Sequence, residues 1–246
     1  MNKSSYTKIA LECMPTVETH IAKGSYRHDV VKLLDGSENI GIELGVASGL
    51  LSKRLLETNK FKLLFGVDVY GDIHDTIEYK NALNTIGIAE NHKLIRLTFD
   101  DAADLFPNDY FDFIYIDGFA HTGEEGGKTL VDWYGKLKVG GIMSGDDYHT
   151  DWPLVMWAVN HFASQLNVTI NLTERTQTDR YSLYPTWFFR KESEIDPSSL
   201  PLDGRLVTIA KHERTRIHRL RMSPLYRFLH RLLHLTQRMI ARIRPR

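Results

Sequence analysis

The sequence predicts a doubly wound α/β fold built on a mainly parallel sheet, and three observations carry that expectation. Short apolar runs of strand length alternate with helical stretches along the middle of the chain. A turn of small residues, Gly45-Val46-Ala47-Ser48-Gly49, joins one such run directly to a helix. Acids recur where successive runs end, at Glu43, Asp68, Asp117 and Asp146-Asp147. Those are the strand ends at which open α/β sheets bind their ligands.

Taken in order, residues 1–34 read as an N-terminal helical segment, with a break at Pro15 and a short helix over 27–34. Residues 39–44 form the first strand and 50–57 its helix. A second strand, 62–68, ends on Asp68, and a polar helix over 76–87 leads to a third strand at 93–97. A short helix over 101–106 precedes the fourth strand, 111–117. The stretch 129–137 is helical, Gly140-Gly141 breaks it, and 142–145 runs into Asp146-Asp147. Pro153 opens a helix over 154–166. The runs 168–172 and 186–190 lie too close together for a crossover helix, so they pair antiparallel. Residues 191–222 begin with prolines, serines and aspartates and are expected to be a linker.

At 246 residues with 42% hydrophobic and 25% charged content, the chain has enough apolar material for one substantial core. The single cysteine, Cys13, excludes an internal disulfide framework and fits a reducing cytoplasm. No apolar run of signal length follows Met1, and no stretch reaches the ~18 apolar residues of a spanning helix. The expected location is therefore cytoplasmic.

The zero net charge conceals an asymmetry. Residues 211–246 hold eleven Lys/Arg against one acid, Glu213, which leaves residues 1–210 at −10. Over 223–246 the side chains of Leu225, Phe228, Leu229, Leu232, Met239, Ile240 and Ile243 share one helical face. Arg227, Arg231, Arg238 and Arg242 take the opposite face. This basic amphipathic helix suits an anionic membrane surface or a partner helix in a homo-oligomer. Nucleic acid is the least favoured partner, because the rest of the chain is acidic and no exposed aromatics interleave with the arginines.

The turn and the acids describe a ligand site. Asp68 follows Gly49 by about 20 residues, the spacing at which an acid accepts hydrogen bonds from ribose hydroxyls; a helix N-cap is the alternative. The turn has Ala47 where a G-x-G-x-x-G loop has its middle glycine, and a dinucleotide needs that glycine for its pyrophosphate. A cofactor without pyrophosphate tolerates the alanine. Asp117, Asp146 and Asp147 bring three carboxylates toward one point, a hard-oxygen set suited to Mg²⁺ or another divalent cation; capping of the following segment is the alternative. His121 is the candidate base, with His149 in reserve, and each has an ordinary loop histidine as its alternative. Trp152, Trp157, Tyr181, Tyr184 and Trp187 are placed in the core rather than against an acceptor.

The segments Ile42-Glu-Leu-Gly-Val-Ala-Ser-Gly49, Gly66-Val-Asp68, Ile116-Asp-Gly118, Trp133 and Leu137 through Tyr148 resemble the class I S-adenosylmethionine-dependent methyltransferases. The similarity spans roughly residues 35–190. Within that class it resembles the bacterial branch of metal-dependent sugar and antibiotic O-methyltransferases. The resemblance implies a seven-stranded Rossmann-like sheet whose last strand is antiparallel. It places Glu43, Gly45, Val46, Ala47, Ser48 and Gly49 under the methionine part of S-adenosylmethionine and Asp68 on the ribose. It puts Asp100 and Asp101 near the adenine and Asp117 between cofactor and metal. The function it implies is methyl transfer to a hydroxyl of a sugar or other diol-bearing acceptor. A catechol-like aromatic acceptor, and a non-catalytic scaffold acting through the basic helix, are the alternatives.

Overall fold

The computed structural model describes residues 3–71, 75–176, 180–196, 199–223 and 226. Its elements run α1 (Lys3–Cys13), β1 (Thr19–Ala22), a 3-10 helix (Arg27–Leu33), β2 (Asn39–Leu44), α2 (Leu50–Glu57), β3 (Phe61–Val67), α3 (Thr76–Ile86) and β4 (His92–Ile95). Then come α4 (Phe99–Ala103), β5 (Phe111–Ile116), the single turn α5 (Gly123–Gly126), α6 (Lys128–Tyr134), β6 (Leu137–Gly145), α7 (Pro153–Leu166), β7 (Ile170–Thr173), β8 (Trp187–Arg190) and α8 (Gly204–Met222).

These strands make one sheet in the order β1-β7-β8-β6-β5-β2-β3-β4. Every neighbouring pair is parallel except those of β8, which runs antiparallel to both β6 and β7. The central strands are apolar runs because both faces are covered. Ile42, Leu44, Ile114, Ile116 and Met143 face α6 and α7 on one side. On the other, Leu64, Phe113, Tyr115 and Ile142 pack against Val30, Val31, Leu51 and Leu55 of the 3-10 helix and α2. The two-residue alternation of the pleat sorts neighbouring residues into these two cores.

The expected seven strands are β2 through β8, and the expected antiparallel last strand is β8. The eighth, β1, comes from the N-terminal segment and pairs with β7 at the sheet edge. Three of its four residues are exposed, so it carries no apolar run that would mark it in the sequence.

Residues 191–222 are not a linker throughout. From Gly204 to Met222 the chain is a 19-residue helix. Asp203 caps it, its side chain accepting from the Arg205 and Leu206 amides at 2.8 and 3.1 Å and from Trp157 Nε1 at 3.2 Å. Leu206, Ala210 and Glu213 are buried against the body, an apolar face too narrow to stand out among the arginines around it. Among the described residues no helix is long and apolar enough to cross a membrane. The basic helix expected over 223–246 lies outside the described residues, apart from Ser223 and Tyr226.

Candidate active site

The small-residue turn sits at the carboxyl end of β2, in the middle of the sheet. Gly45, Ala47 and Gly49 have φ of 97°, 46° and 80°, so three of five residues are left-handed. A Cβ on Gly45 would collide with the Asp117 carbonyl, which requires glycine where the turn presses on the end of β5. The neighbouring strands hold the turn through Gly45 N–H to the Val67 carbonyl at 2.8 Å and Asp117 N–H to the Leu44 carbonyl at 2.7 Å.

Asp68, at the end of β3, does not cap a helix. Its Oδ2 accepts from the Val46 and Ala47 amides at 3.1 and 2.9 Å, and its Oδ1 accepts from the Tyr70 amide at 3.1 Å. A carboxylate offers about four acceptor positions, so room remains for one more donor, such as a ribose hydroxyl. Tyr70 closes the ring by donating from its hydroxyl to the Ala47 carbonyl at 2.9 Å. The turn's amides are thereby spent on Asp68 rather than presented to an anion, which agrees with a cofactor lacking pyrophosphate.

Glu43 is 1% exposed and accepts a short hydrogen bond from Ser52 Oγ on α2. Burial pushes its carboxyl up to about 8, with Asp117 and Asp68 adding to the rise and Ser52 and Arg27 opposing it. Asp100 and Asp101 lie in the first turn of α4. Asp100 pairs with Lys128 at 3.0 Å; Asp101 takes a 2.6 Å hydrogen bond from Thr98 Oγ1, while its own amide donates to that oxygen at 3.1 Å. Helix capping and a surface ion pair account for both.

The three carboxylates expected to hold a metal are arranged differently. Asp117 and Asp146 end the adjacent strands β5 and β6, and one guanidinium lies between them. Arg27, the first residue of the 3-10 helix, makes a short ion pair from Nη2 to Asp117 Oδ2 and a second from Nη1 to Asp146 Oδ2 at 3.0 Å. Its guanidinium carbon stands 5.4 Å from the Tyr115 ring centre and 5.3 Å from that of Tyr181. Among the described residues no group of three or more His, Cys, Asp or Glu side chains is placed to hold a metal ion. In this arrangement the positive charge beside Asp117 and Asp146 comes from the chain's own Arg27. Burial, opposed by Arg27, pushes Asp146 up to about 7, and burial with Asp146 and Asp117 nearby pushes Asp147 up to about 8.

His121 is exposed on the loop after β5, its ring meeting Trp152 edge-on at 4.9 Å. His149 Nε2 lies 2.8 Å from Arg175 Nη1; a guanidinium has only donors, so this nitrogen accepts and is engaged. Trp157 and Trp187 are fully buried, as expected of core residues. Tyr184 instead reaches Asp151 through its hydroxyl at 3.0 Å.

Two residues were not legible as site residues. Arg27 is one, since nothing local marks an arginine that pairs 90 positions away. Glu124 is the other. Gly123, Glu124, Glu125, Gly126 and Gly127 all have φ between 52° and 90°, a single turn of left-handed helix closed by Gly127 N–H to the Gly123 carbonyl at 2.9 Å. Left-handed backbone costs about 1–2 kcal/mol at each non-glycine residue, here Glu124 and Glu125. Glu124 is 2% exposed, and among the described residues its Oε2 has no hydrogen-bond partner. Burial first, then Asp117 and Asp147, hold its carboxyl well above the usual range. The run Gly-Glu-Glu-Gly-Gly between a strand and a helix was the available signal.

A family model described as a methyltransferase domain matches residues 39–148, the span from β2 to the acids that follow β6. The match runs through the turn, Asp68, Asp117, Asp146 and Asp147, and the domain and the fold together support S-adenosylmethionine as the cofactor. Among solved structures, the chain is similar to a spermidine synthase bound to the transition-state analogue AdoDATO, with a TM-score of 0.50, 18% identity and 74% of this chain covered. The spermidine synthase from Thermotoga maritima is similar at a TM-score of 0.50, 17% identity and 74% coverage. The chain spans 63% of the length of each. At these identities the likeness is one of fold. No curated protein matches the chain.

Proposed function

We propose that this protein is an S-adenosylmethionine-dependent O-methyltransferase acting on a hydroxyl of a sugar, in a cell-surface glycan or glycosylated metabolite. One observation supports it most directly. A turn with two amides committed to Asp68 adjoins the carboxyls of Asp146 and Asp147 after β6, which burial pushes up to about 7 and about 8.

The bound cofactor supplies a methyl group on a positively charged sulfur. Asp68 orients the turn and has one acceptor position left for a ribose hydroxyl. With the cofactor bound, the acceptor oxygen would take its methyl group, and Asp147 after β6 would accept the hydroxyl proton. No metal step is invoked, because Arg27 already pairs with both Asp117 and Asp146. His121, exposed on the loop after β5, is assigned to contact the acceptor. The basic stretch 223–246 suits attachment to the cytoplasmic face of an anionic membrane, which would bring the enzyme to lipid-linked glycans; flotation with anionic vesicles at low and high salt tests that location.

Labelled-methyl transfer to a panel of sugars, lipid-linked glycans and catechols tests the acceptor, and label in catechols alone rejects the sugar assignment. With Asp147 as base, turnover climbs with pH toward about 8. A limb that ends near the ordinary histidine value of about 6.5 and vanishes in His121→Ala transfers the role to His121.

A further inference from the structure

We propose that Arg27 is the resident cation of this site, standing where a divalent metal was expected, and that the protein neither binds nor needs one there. The catalytic half of this statement rests on the methyl-transfer reading; the metal-binding half does not.

The geometry makes guanidinium and metal alternatives. A divalent ion bridging Asp117 and Asp146 would lie about 2.0–2.6 Å from their Oδ2 atoms. Those oxygens already take Nη2 and Nη1 of one guanidinium, the second at 3.0 Å. Arg27 and a dication cannot share the two carboxylates without placing three positive charges in contact inside a largely buried site. The forked donor geometry of arginine suits two carboxylates side by side, as a lysine point charge does not.

Arg27 is also fixed in place. Its side chain is 13% exposed and lies against the rings of Tyr115 and Tyr181. Three and four residues on, Val30 and Val31 are buried in the core under α2. The start of the 3-10 helix is held by the Tyr26 amide donating to Asp29 Oδ2 at 2.8 Å. Withdrawing the guanidinium to admit a metal would require unpacking that helix. Among the described residues its buried Nε has no hydrogen-bond partner. Arg27 thus acts as a positioning residue, holding Asp117 and Asp146 at the strand ends.

The experiment is Mn²⁺ binding by electron paramagnetic resonance on the full-length protein, with methyl transfer measured in parallel before and after EDTA. The wild type is expected to bind no stoichiometric Mn²⁺ and to keep its activity in EDTA. Arg27→Gln is expected to gain one Mn²⁺ site per chain, lost again when Asp146→Asn is added, and to lose turnover on the order of 100-fold. Arg27→Lys keeps the charge and is expected to bind no Mn²⁺. A wild type that binds one Mn²⁺ and loses it in Asp146→Asn overturns the proposal, as does activity abolished by EDTA and restored by Mn²⁺. An Arg27→Gln protein that folds and binds no Mn²⁺ overturns the claim that Arg27 excludes the metal. If Arg27→Gln fails to fold, the wild-type and Arg27→Lys titrations still decide. Absence of methyl transfer under every condition counts against the methyl-transfer reading and leaves the Mn²⁺ result standing.

Discussion

Asp68 shows how one carboxylate serves both the backbone and a ligand. It restrains the left-handed turn through two amides and anchors Tyr70 through a third. Asp68→Ala leaves those buried donors unsatisfied, at about 1–3 kcal/mol each. The expected result is a clear drop in thermal midpoint together with at least about tenfold weaker S-adenosylmethionine binding by calorimetry. Unchanged affinity in a folded Asp68→Ala protein would remove it from the cofactor site. The residues visible in the sequence were those in a local pattern, such as Gly45-Val-Ala-Ser-Gly49 or an acid closing an apolar run. Arg27 was not visible because its meaning comes from a partner on another strand, and Glu124 because burial is a property of the surrounding fold.

Element by element, most strands and helices from β2 to β8 were legible because the central strands are apolar runs with turns or caps beside the helices; α5 was not, and β6 starts at Leu137, inside the stretch read as helical. Asp75, for example, caps α3 by accepting from the Ile77 and Glu78 amides at 2.8 and 3.3 Å. β1 escaped because a mostly exposed four-residue strand has no apolar signature. α8 escaped because its charge outweighs its narrow apolar face. That helix bears on the site. Val207 and Ala210 pack on Gly126 of the left-handed turn that carries Glu124, and Arg214 pairs with Glu125 at 3.6 Å. On the other side of the turn, a Cβ on Gly123 would collide with the Leu154 carbonyl of α7. Leu206 is fully buried, so Leu206→Ala is expected to cost about 2–5 kcal/mol and to speed hydrogen exchange across residues 123–127. Exchange there unchanged, despite the lost stability, would mean that α8 does not support the turn.

At the scale of the whole molecule, the site concentrates acids whose pKa values are raised in the folded protein. Glu43 and Asp147 are pushed up to about 8 and Asp146 to about 7, while Glu124 lies well above the usual range. Each folded-state value exceeds its unfolded value near 4, so the folded protein binds more protons between about pH 4 and 8. Stability from these groups is fully present at the low end of that window and falls as pH rises through it. The thermal midpoint is therefore expected to decline from about pH 5 toward pH 9, and less steeply in Glu124→Gln, whose side chain stays neutral. A midpoint that rises over this range would show that the cluster is ionised in the folded state. Calorimetric titration of the full-length protein with S-adenosylmethionine in EDTA tests the central claim most directly. One molecule bound per chain, with affinity unchanged by added Mg²⁺, is the result predicted. No binding in EDTA, or binding that appears only when Mg²⁺ is supplied, would contradict it.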